Sequence, residues 1–117
     1  MQNLEQVRAR NALTLGPVSG DKGGEIIKKV APLILNHGLL ATTAYSFTEK
    51  EGWQKVFDAI ARHLADMDIA IVPETVKNRQ ELMEFLTRKD TSSETLKLAT
   101  AEAMAWLTYA RRFVKKG

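Results

Sequence analysis

The sequence predicts an all-α fold, a single compact bundle of about six helices. Apolar residues recur at steps of three and four along most of the chain and almost never alternate, which is the helical pattern. The length of 117 residues suffices for one domain but not for two ordinary ones. A content of 44% hydrophobic and 26% charged residues, with 3 prolines and 7 glycines, is typical of a folded chain. We therefore expect residues 1–117 to form one helical domain.

The first two predicted helices flank a glycine-rich loop. A helix over about residues 2–15 ends before Pro17, because proline disfavours helical geometry in the residue that precedes it. A flexible loop over about residues 16–24 follows, since it contains several glycines. The second helix covers residues 25–36, and Pro32 predicts a kink within it because proline lacks the backbone donor of a helical hydrogen bond.

The middle of the chain is predicted to turn sharply and to continue as two more helices. Gly38 predicts the turn, because glycine adopts the left-handed conformation that ends a helix without steric cost. A short and mostly buried helix then covers residues 39–47. Thr48, with Glu51 three residues later, has the pattern of a capping box and predicts the start of a helix whose apolar stripe reaches Leu64.

The last third of the chain is predicted to contain one connection and two helices. Residues 67–75 are interpreted as a loop with one strand-like stretch. Asn78, with Glu81, predicts a helix start, and the pattern at residues 91–94 predicts another. The final helix then extends to about Lys115 along an unbroken apolar stripe.

The composition excludes several kinds of site. The absence of cysteine excludes a disulfide framework, a thiolate metal site and a cysteine nucleophile. A net charge of +3 is too small for nucleic-acid binding by overall charge alone, so a polyanion would have to meet a local basic patch. No stretch of about 18 apolar residues is present, so we expect neither a membrane span nor a signal peptide, and the cytoplasm is the expected location.

The sequence also shows no recognisable set of catalytic or metal-binding residues. His37 and His63 lack the neighbours that helical metal sites use, and we interpret them as capping, packing or surface residues. The glycines of residues 20–24 do not have the spacing of a phosphate-binding loop. Glu102 lies in an apolar run, where it either faces solvent or needs a partner if it is buried. We therefore expect a chain that is not an enzyme and that has no cofactor or metal.

Basic residues supply the sharpest feature of the sequence. No acidic residue occurs within residues 103–117, which contain Arg111, Arg112, Lys115 and Lys116. Cations at the end of a helix are also favoured by the helix dipole, so a local structural reason and a phosphate or partner surface both remain open. Five further basic residues lie outside the apolar stripes and are candidates for a face that follows phosphates, namely Lys28, Lys29, Lys50, Lys55 and Arg62.

Three segments together resemble a known family, the small all-helical subunit of the type III-B CRISPR (Cmr) effector complex. Residues 6–9 resemble its opening helix. Residues 31–34 and 36–39 resemble its proline-containing helix and the turn that follows. Residues 100–104 and 109–114 resemble its final helix, with Thr-x-Glu followed by an aromatic residue and basic residues.

The resemblance implies a structural role in antiviral defence. Family members stack along the inner filament of a ribonucleoprotein, beside other Cmr subunits, and help to hold guide RNA and target RNA by contacts that do not read sequence. Neighbouring copies would meet head to tail, and an isolated chain can be monomeric. The resemblance assigns structural roles to Pro32, Gly38, Leu39, Thr100, Glu102, Tyr109 and Phe113. It makes Arg111 and Arg112 the first choices for a contact with phosphate or with a neighbouring subunit.

Two other classes of function remain open. A helical DNA-binding regulator would need a recognition helix with exposed polar residues near its start, whereas the helix predicted after Gly38 is apolar. A helical protein adaptor would instead use an exposed apolar patch and would show no salt-dependent retention of RNA.

Overall fold

The computed structural model describes residues 3–16 and 25–113. It contains five helices: α1 (Leu4–Leu13), α2 (Glu25–Ser46), α3 (Glu51–Ala65), α4 (Arg79–Leu86) and α5 (Ser93–Phe113). No strand occurs in these two described stretches, so the all-α prediction is confirmed. The count of six is slightly off, because two predicted helices are the halves of α2. Most of the predicted glycine-rich loop, together with Val114, Lys115 and Lys116, lies outside the described residues.

Gly38 is the point at which α2 bends. Its backbone angles, φ 85° and ψ 167°, are non-helical, and no other residue of α2, which is described from end to end, leaves the helical range. Such angles are open almost only to glycine, because a Cβ atom clashes with the backbone there. Helical backbone angles continue through Pro32, and the predicted turn at Gly38 is confirmed.

Two helices begin with side-chain caps that local sequence explains. At the start of α1, Gln6 N–H donates to Asn3 Oδ1 at 2.9 Å, and Asn3 N–H donates to Gln6 Oε1 at 3.1 Å. This reciprocal pair is a capping box. At the start of α4, Glu81 N–H donates to Asn78 Oδ1 at 2.8 Å, which confirms the predicted cap.

The other two predicted caps are wrong in detail. Thr48 does not cap α3, because its hydroxyl donates to the Tyr45 carbonyl at the end of α2, 2.9 Å away. The N-cap residue of α3 is Lys50, which makes no side-chain cap bond. At the start of α5 the cap is Ser92, which accepts a 3.1 Å hydrogen bond from Thr95 N–H, one residue later than predicted.

The connection between α3 and α4 is a series of turns. The N–H groups of Ile71 and Val72 both donate to the Leu64 carbonyl, at 3.0 and 3.2 Å, which folds the chain back onto the end of α3. Ala70 has a φ of 51°, the left-handed region. The strand-like stretch predicted within residues 67–75 is therefore wrong, because these backbone groups bond to a helix end rather than to a neighbouring strand.

Arg79 ties the end of α2 to the start of α4. Its Nη1 donates to the Ser46 carbonyl at 2.8 Å, and its guanidinium lies 4.0 Å from the centre of the Phe47 ring. Its backbone N–H donates to Asp58 Oδ1 on α3 at 2.7 Å. A cation at the C-terminal end of α2 also complements the helix dipole.

The hydrophobic core lies between α5 and the other helices. α5 packs against α1, α2 and α3, and α4 packs against α2 and α3. The largest fully buried side chains come from all five helices, and include Trp106, Phe57, Ile27, Ile60 and Leu82. Burial of one such side chain contributes about 1.5–3 kcal/mol, so this core determines how the helices are arranged.

Candidate nucleic-acid and subunit interface

Basic residues from α2 and α5 meet on one surface. Lys28 and Arg111 line the same open pocket of about 360 Å³, and Arg111 lines a second pocket with Arg112 and Thr108. The side chains of Lys28, Arg111 and Arg112, here called the cationic patch, are exposed and make no ion pair with any residue in the described ranges. Lys29, beside Lys28, is also exposed. The patch therefore places three positive charges at the surface of the described residues.

The remaining predicted basic residues are elsewhere. Lys50 directly precedes α3, and Lys55 and Arg62 lie along it. All three are exposed, but none lines a pocket of the cationic patch. The structure therefore divides the predicted basic residues into a patch on α2 and α5 and a separate set on α3.

An apolar groove adjoins the cationic patch, and we call it the α2–α5 groove. It is open and measures about 610 Å³. Its lining consists of Leu35, Gly38, Leu96, Lys97, Thr100, Ala101 and Met104. Leu35 and Met104 also line the pocket of Lys28 and Arg111, so the groove and the patch form one continuous surface. Pro32, which is exposed, lies in that shared pocket.

A hydrogen bond between α2 and α5 forms the floor of the groove. The backbone N–H of Leu39 donates to Thr100 Oγ1 at 3.0 Å. The bend at Gly38 takes this N–H out of the regular helical ladder, and Thr100 supplies the acceptor that it needs. The contact joins two of the segments that carry the family resemblance.

Beneath this surface, Glu102 is buried and paired. It is 8% exposed, and its carboxylate accepts two hydrogen bonds from Arg8 of α1, from Nε at 2.7 Å and from Nη2 at 2.8 Å. Burial alone would raise the pKa of Glu102, but the hydrogen bonds from Arg8 and His63 outweigh it and hold the pKa below its usual value. Of the two expectations for Glu102, the buried and partnered one is correct.

His63 is the second buried partner of Glu102. It is 1% exposed, and its Nε2 lies 2.9 Å from Glu102 Oε2, while its Nδ1 lies 2.9 Å from the amide nitrogen of Asn11. The same amide nitrogen donates to Asp66 Oδ2 at 3.1 Å. Asn11 must therefore donate to Nδ1, which assigns the ring proton to Nε2 and makes the imidazole neutral. Burial lowers the pKa of His63, which favours the same neutral form.

Two further residues of the final helix have definite positions. The Tyr109 hydroxyl donates to Glu5 Oε1 of α1, and this hydrogen bond raises the pKa of the phenol. Phe113 is partly buried against the core. Together with Glu102, these contacts hold α5 against α1 and the core.

The sequence showed the apolar setting of Glu102, but it held no sign that Arg8 and His63 are its partners.

The described residues also restrict the available chemistry. Within residues 3–16 and 25–113 no group of three His, Asp or Glu side chains could hold a metal ion. None of the helices in these ranges combines the length and the apolar character that a membrane crossing requires. The buried acid and the buried histidine bond to each other and to α1, so they join three helices.

The fold and the site define a small helical protein with an exposed basic and apolar surface. The chain matches the family model described as CRISPR-associated protein (Cas_Cmr5) over residues 4–116. This match spans nearly the whole chain, which therefore belongs to that family and is a CRISPR-associated protein of the Cmr type. Comparison with curated proteins and with solved structures gives no match.

Proposed function

We propose that this chain is a non-catalytic structural subunit of a type III-B CRISPR (Cmr) ribonucleoprotein in the cytoplasm. In this role it stacks with copies of itself in the inner filament, beside other Cmr subunits. It helps to hold guide RNA and target RNA through contacts with the phosphate backbone. The biological result is antiviral defence.

The observation that carries this proposal is the cationic patch. Lys28 comes from α2, and Arg111 and Arg112 come from α5, yet all three face one surface without a described ion-pair partner. Lys and Arg contacts with phosphate give affinity that does not depend on sequence. Three such contacts are weak for one chain, but they multiply when several copies lie along one RNA strand.

The absence of catalysis is part of the proposal, and the geometry supports it. His63 is 1% exposed and Glu102 is 8% exposed, so a substrate cannot reach them in this structure. Their hydrogen-bonding groups are used within the network of α1, α3 and α5. A general acid or base needs access to the proton that it transfers.

Reconstitution of the Cmr complex tests the proposal. Complexes with guide RNA are assembled with the wild-type chain, without it, or with the Arg111→Glu and Arg112→Glu double variant. We expect omission of the chain to weaken retention of target RNA. The double variant should enter the complex but retain target RNA less well, and the difference should be largest at low salt because phosphate contacts are screened by salt.

A matched variant separates the effect of the cationic patch on RNA retention from the effect of net charge. Lys77→Glu with Lys89→Glu makes the same change in charge at exposed residues outside the patch, and it should retain target RNA as the wild type does. Failure of the wild-type chain to enter a complex that otherwise assembles would contradict the proposed function. Equal RNA retention by both double variants would contradict the role of the patch.

The structure also bears on the alternative functions. The segment after Gly38 is the second half of α2, and it buries Leu39, Thr42, Thr43 and Ser46. Its exposed residues, Ala41, Ala44 and Tyr45, include none of the Arg, Asn or Gln side chains that a recognition helix uses. The α2–α5 groove is an exposed apolar surface, which fits a contact with protein alongside the contact with RNA.

A further inference from the structure

The two most exposed large apolar side chains in the described ranges lie on different surfaces. Met67 is 82% exposed and lies in the turns after α3, and Leu35 is 72% exposed and lies at the α2–α5 groove. A contiguous exposed apolar surface is typical of a contact with a partner, and Leu35 belongs to one, the lining of the groove. Methionine is suited to this use, because its flexible side chain adapts to irregular apolar grooves.

The charges around these two surfaces are opposite. Met67 lies between Asp66 and Asp68, and Glu74 lines the same surface pocket as Met67. The α2–α5 groove contains Lys97, and the adjoining pocket contains Lys28 and Arg111. The side chain of Met67, here called the knob, is thus an apolar group surrounded by acidic residues. The α2–α5 groove is an apolar surface with basic residues around it.

The two surfaces are also independent of each other. No residue lines both the groove and the pocket beside Met67. Asp66 bonds to Arg10 and Asn11 of α1, whereas no residue of α1 lines the groove. One copy can therefore receive a neighbour in its groove while its Met67 enters another neighbour. Such a contact is heterologous, and repeated from copy to copy it builds a line or a ring of copies.

We propose that the α2–α5 groove binds the Met67 segment of a second copy of this chain. The inference rests on the proposed function for its setting, the filament, and it assigns the two surfaces through which neighbouring copies touch. Met67 enters the groove beside Leu35 and Met104, while Asp68 and Glu74 face Lys97, the cation that lines the groove. The groove of about 610 Å³ has room for Met67 and adjoining apolar atoms of its turn.

The contact also links stacking to RNA binding. Leu35 and Met104 line both the groove and the pocket of the cationic patch, so a neighbour in the groove lies beside Lys28 and Arg111. Successive copies would then place their patches at a regular spacing on one side of the line, as backbone contacts along one strand require.

Complementary variants of the isolated chain test the proposal. Ala101→Glu places a carboxylate in the groove, and Met67→Glu removes the apolar knob; both positions are exposed, so neither change disturbs the core. By sedimentation velocity at high protein concentration and low salt, the wild type should associate. Each variant should associate more weakly by roughly tenfold or more, because Ala101→Glu places a carboxylate against an apolar and acidic surface and Met67→Glu removes the apolar side chain that fills the groove.

A mixture of the two variants makes the test specific. The Met67→Glu chain keeps an intact groove and the Ala101→Glu chain keeps an intact knob, so one productive contact remains between them. We expect the mixture to form a one-to-one dimer and nothing larger. Leu13→Glu, at an exposed apolar residue outside both surfaces, is the matched control and should associate as the wild type does.

Three results would overturn the inference. They are a wild-type chain that stays monomeric at the highest soluble concentration, a mixture that stays monomeric, or an effect of Leu13→Glu equal to that of Met67→Glu. The proposed function fails separately, when the wild-type chain does not enter the Cmr complex. Incorporation of Met67→Glu with an unchanged copy number would leave the proposed function intact and would contradict the knob-and-groove contact.

Discussion

Arg8 and Glu102 are 94 positions apart in the sequence and form a bidentate ion pair between α1 and α5. Both oxygens of the carboxylate accept from the guanidinium, and Glu102 also contacts His63 on α3. A charge-assisted pair of this geometry is among the stronger polar contacts in proteins. Three helices therefore meet at one buried carboxylate, which lies on the inner side of the helix that carries Arg111 and Arg112.

Replacement of Glu102 by glutamine should strongly destabilise the fold. Glu102→Gln leaves the partly buried Arg8 without its main anionic partner, at a cost of about 1–3 kcal/mol, since Arg8 keeps its ion pair with Glu5. The free energy of unfolding from urea titration measures this loss. Glu94→Gln, in the exposed first turn of α5, is the matched control and should change stability by less than about 0.5 kcal/mol. Equal effects of the two changes would show that the pair does not hold α1 to α5.

Stability should fall as the pH drops below 6.5, the ordinary pKa of histidine. Burial lowers the pKa of His63 in the folded chain, so the unfolded chain takes up a proton first and is favoured at lower pH. The loss is at most about 1.4 kcal/mol per pH unit, and it stops below the lowered pKa. Urea titrations from about pH 7.5 to about pH 5.5 measure it.

The two histidines of the chain provide a matched pair for that experiment. His63→Gln should remove this slope, although the variant is less stable at every pH. His37→Gln, at an exposed position, is the control variant that removes the other histidine. A second loss of stability, at more acidic pH, should accompany protonation of Glu102. The pKa of Glu102 in the folded chain lies below the ordinary 4.5. The stability that its carboxylate contributes is therefore present above pH 4.5 and is lost as the pH falls through the lowered pKa.

Gly38→Ala should destabilise the chain by about 1–3 kcal/mol, because alanine is strained at a φ of 85° and a ψ of 167°. The added Cβ would meet Thr100 Oγ1 at 3.9 Å, an ordinary contact, so the cost is backbone strain rather than a clash. Thermal unfolding followed by circular dichroism gives the change. Asn36→Ala, at an exposed residue of the same helix, should have little effect, and a similar loss in both variants would contradict the argument from strain.

Thr100→Val should cost about 1–2 kcal/mol, because it preserves the shape of the side chain but leaves the Leu39 N–H without its acceptor. Hydrogen exchange of the Leu39 amide is the direct measurement, and its protection should decrease. Thr108→Val, at an exposed residue of the same helix whose hydroxyl bonds only within α5, is the control. Unchanged protection of Leu39 in Thr100→Val would show that the bond does not hold α2 to α5.

Several elements followed from local pattern, and their errors have local causes. The Asn78 cap was predicted correctly, because the cap, its partner and the helix lie within a few residues of one another. Thr48 has the same pattern, but its hydroxyl bonds back to α2 rather than forward to α3. A capping pattern cannot show which of two adjacent helix ends a hydroxyl will serve.

The exposure of the candidate basic residues could be predicted from the sequence, but their arrangement could not. The exposure of Arg111 and Arg112 followed from their place outside the apolar stripe of α5. Lys28 was one of several exposed lysines, and nothing in the sequence distinguished it from Lys55. Only the packing of α2 on α5 places Lys28 beside Arg111.

The sequence was enough to predict the fold class. The evidence was the helical periodicity, the positions of glycine and proline, and the cap residues, and each of these depends on residues that are close together along the chain. The tertiary structure decided the partners of Glu102, the burial of His63 and the meeting of the cationic patch with the α2–α5 groove. These features depend on side chains that are distant along the chain. Their contacts exist only after the apolar faces of the helices have packed, because that packing sets which polar groups are buried together.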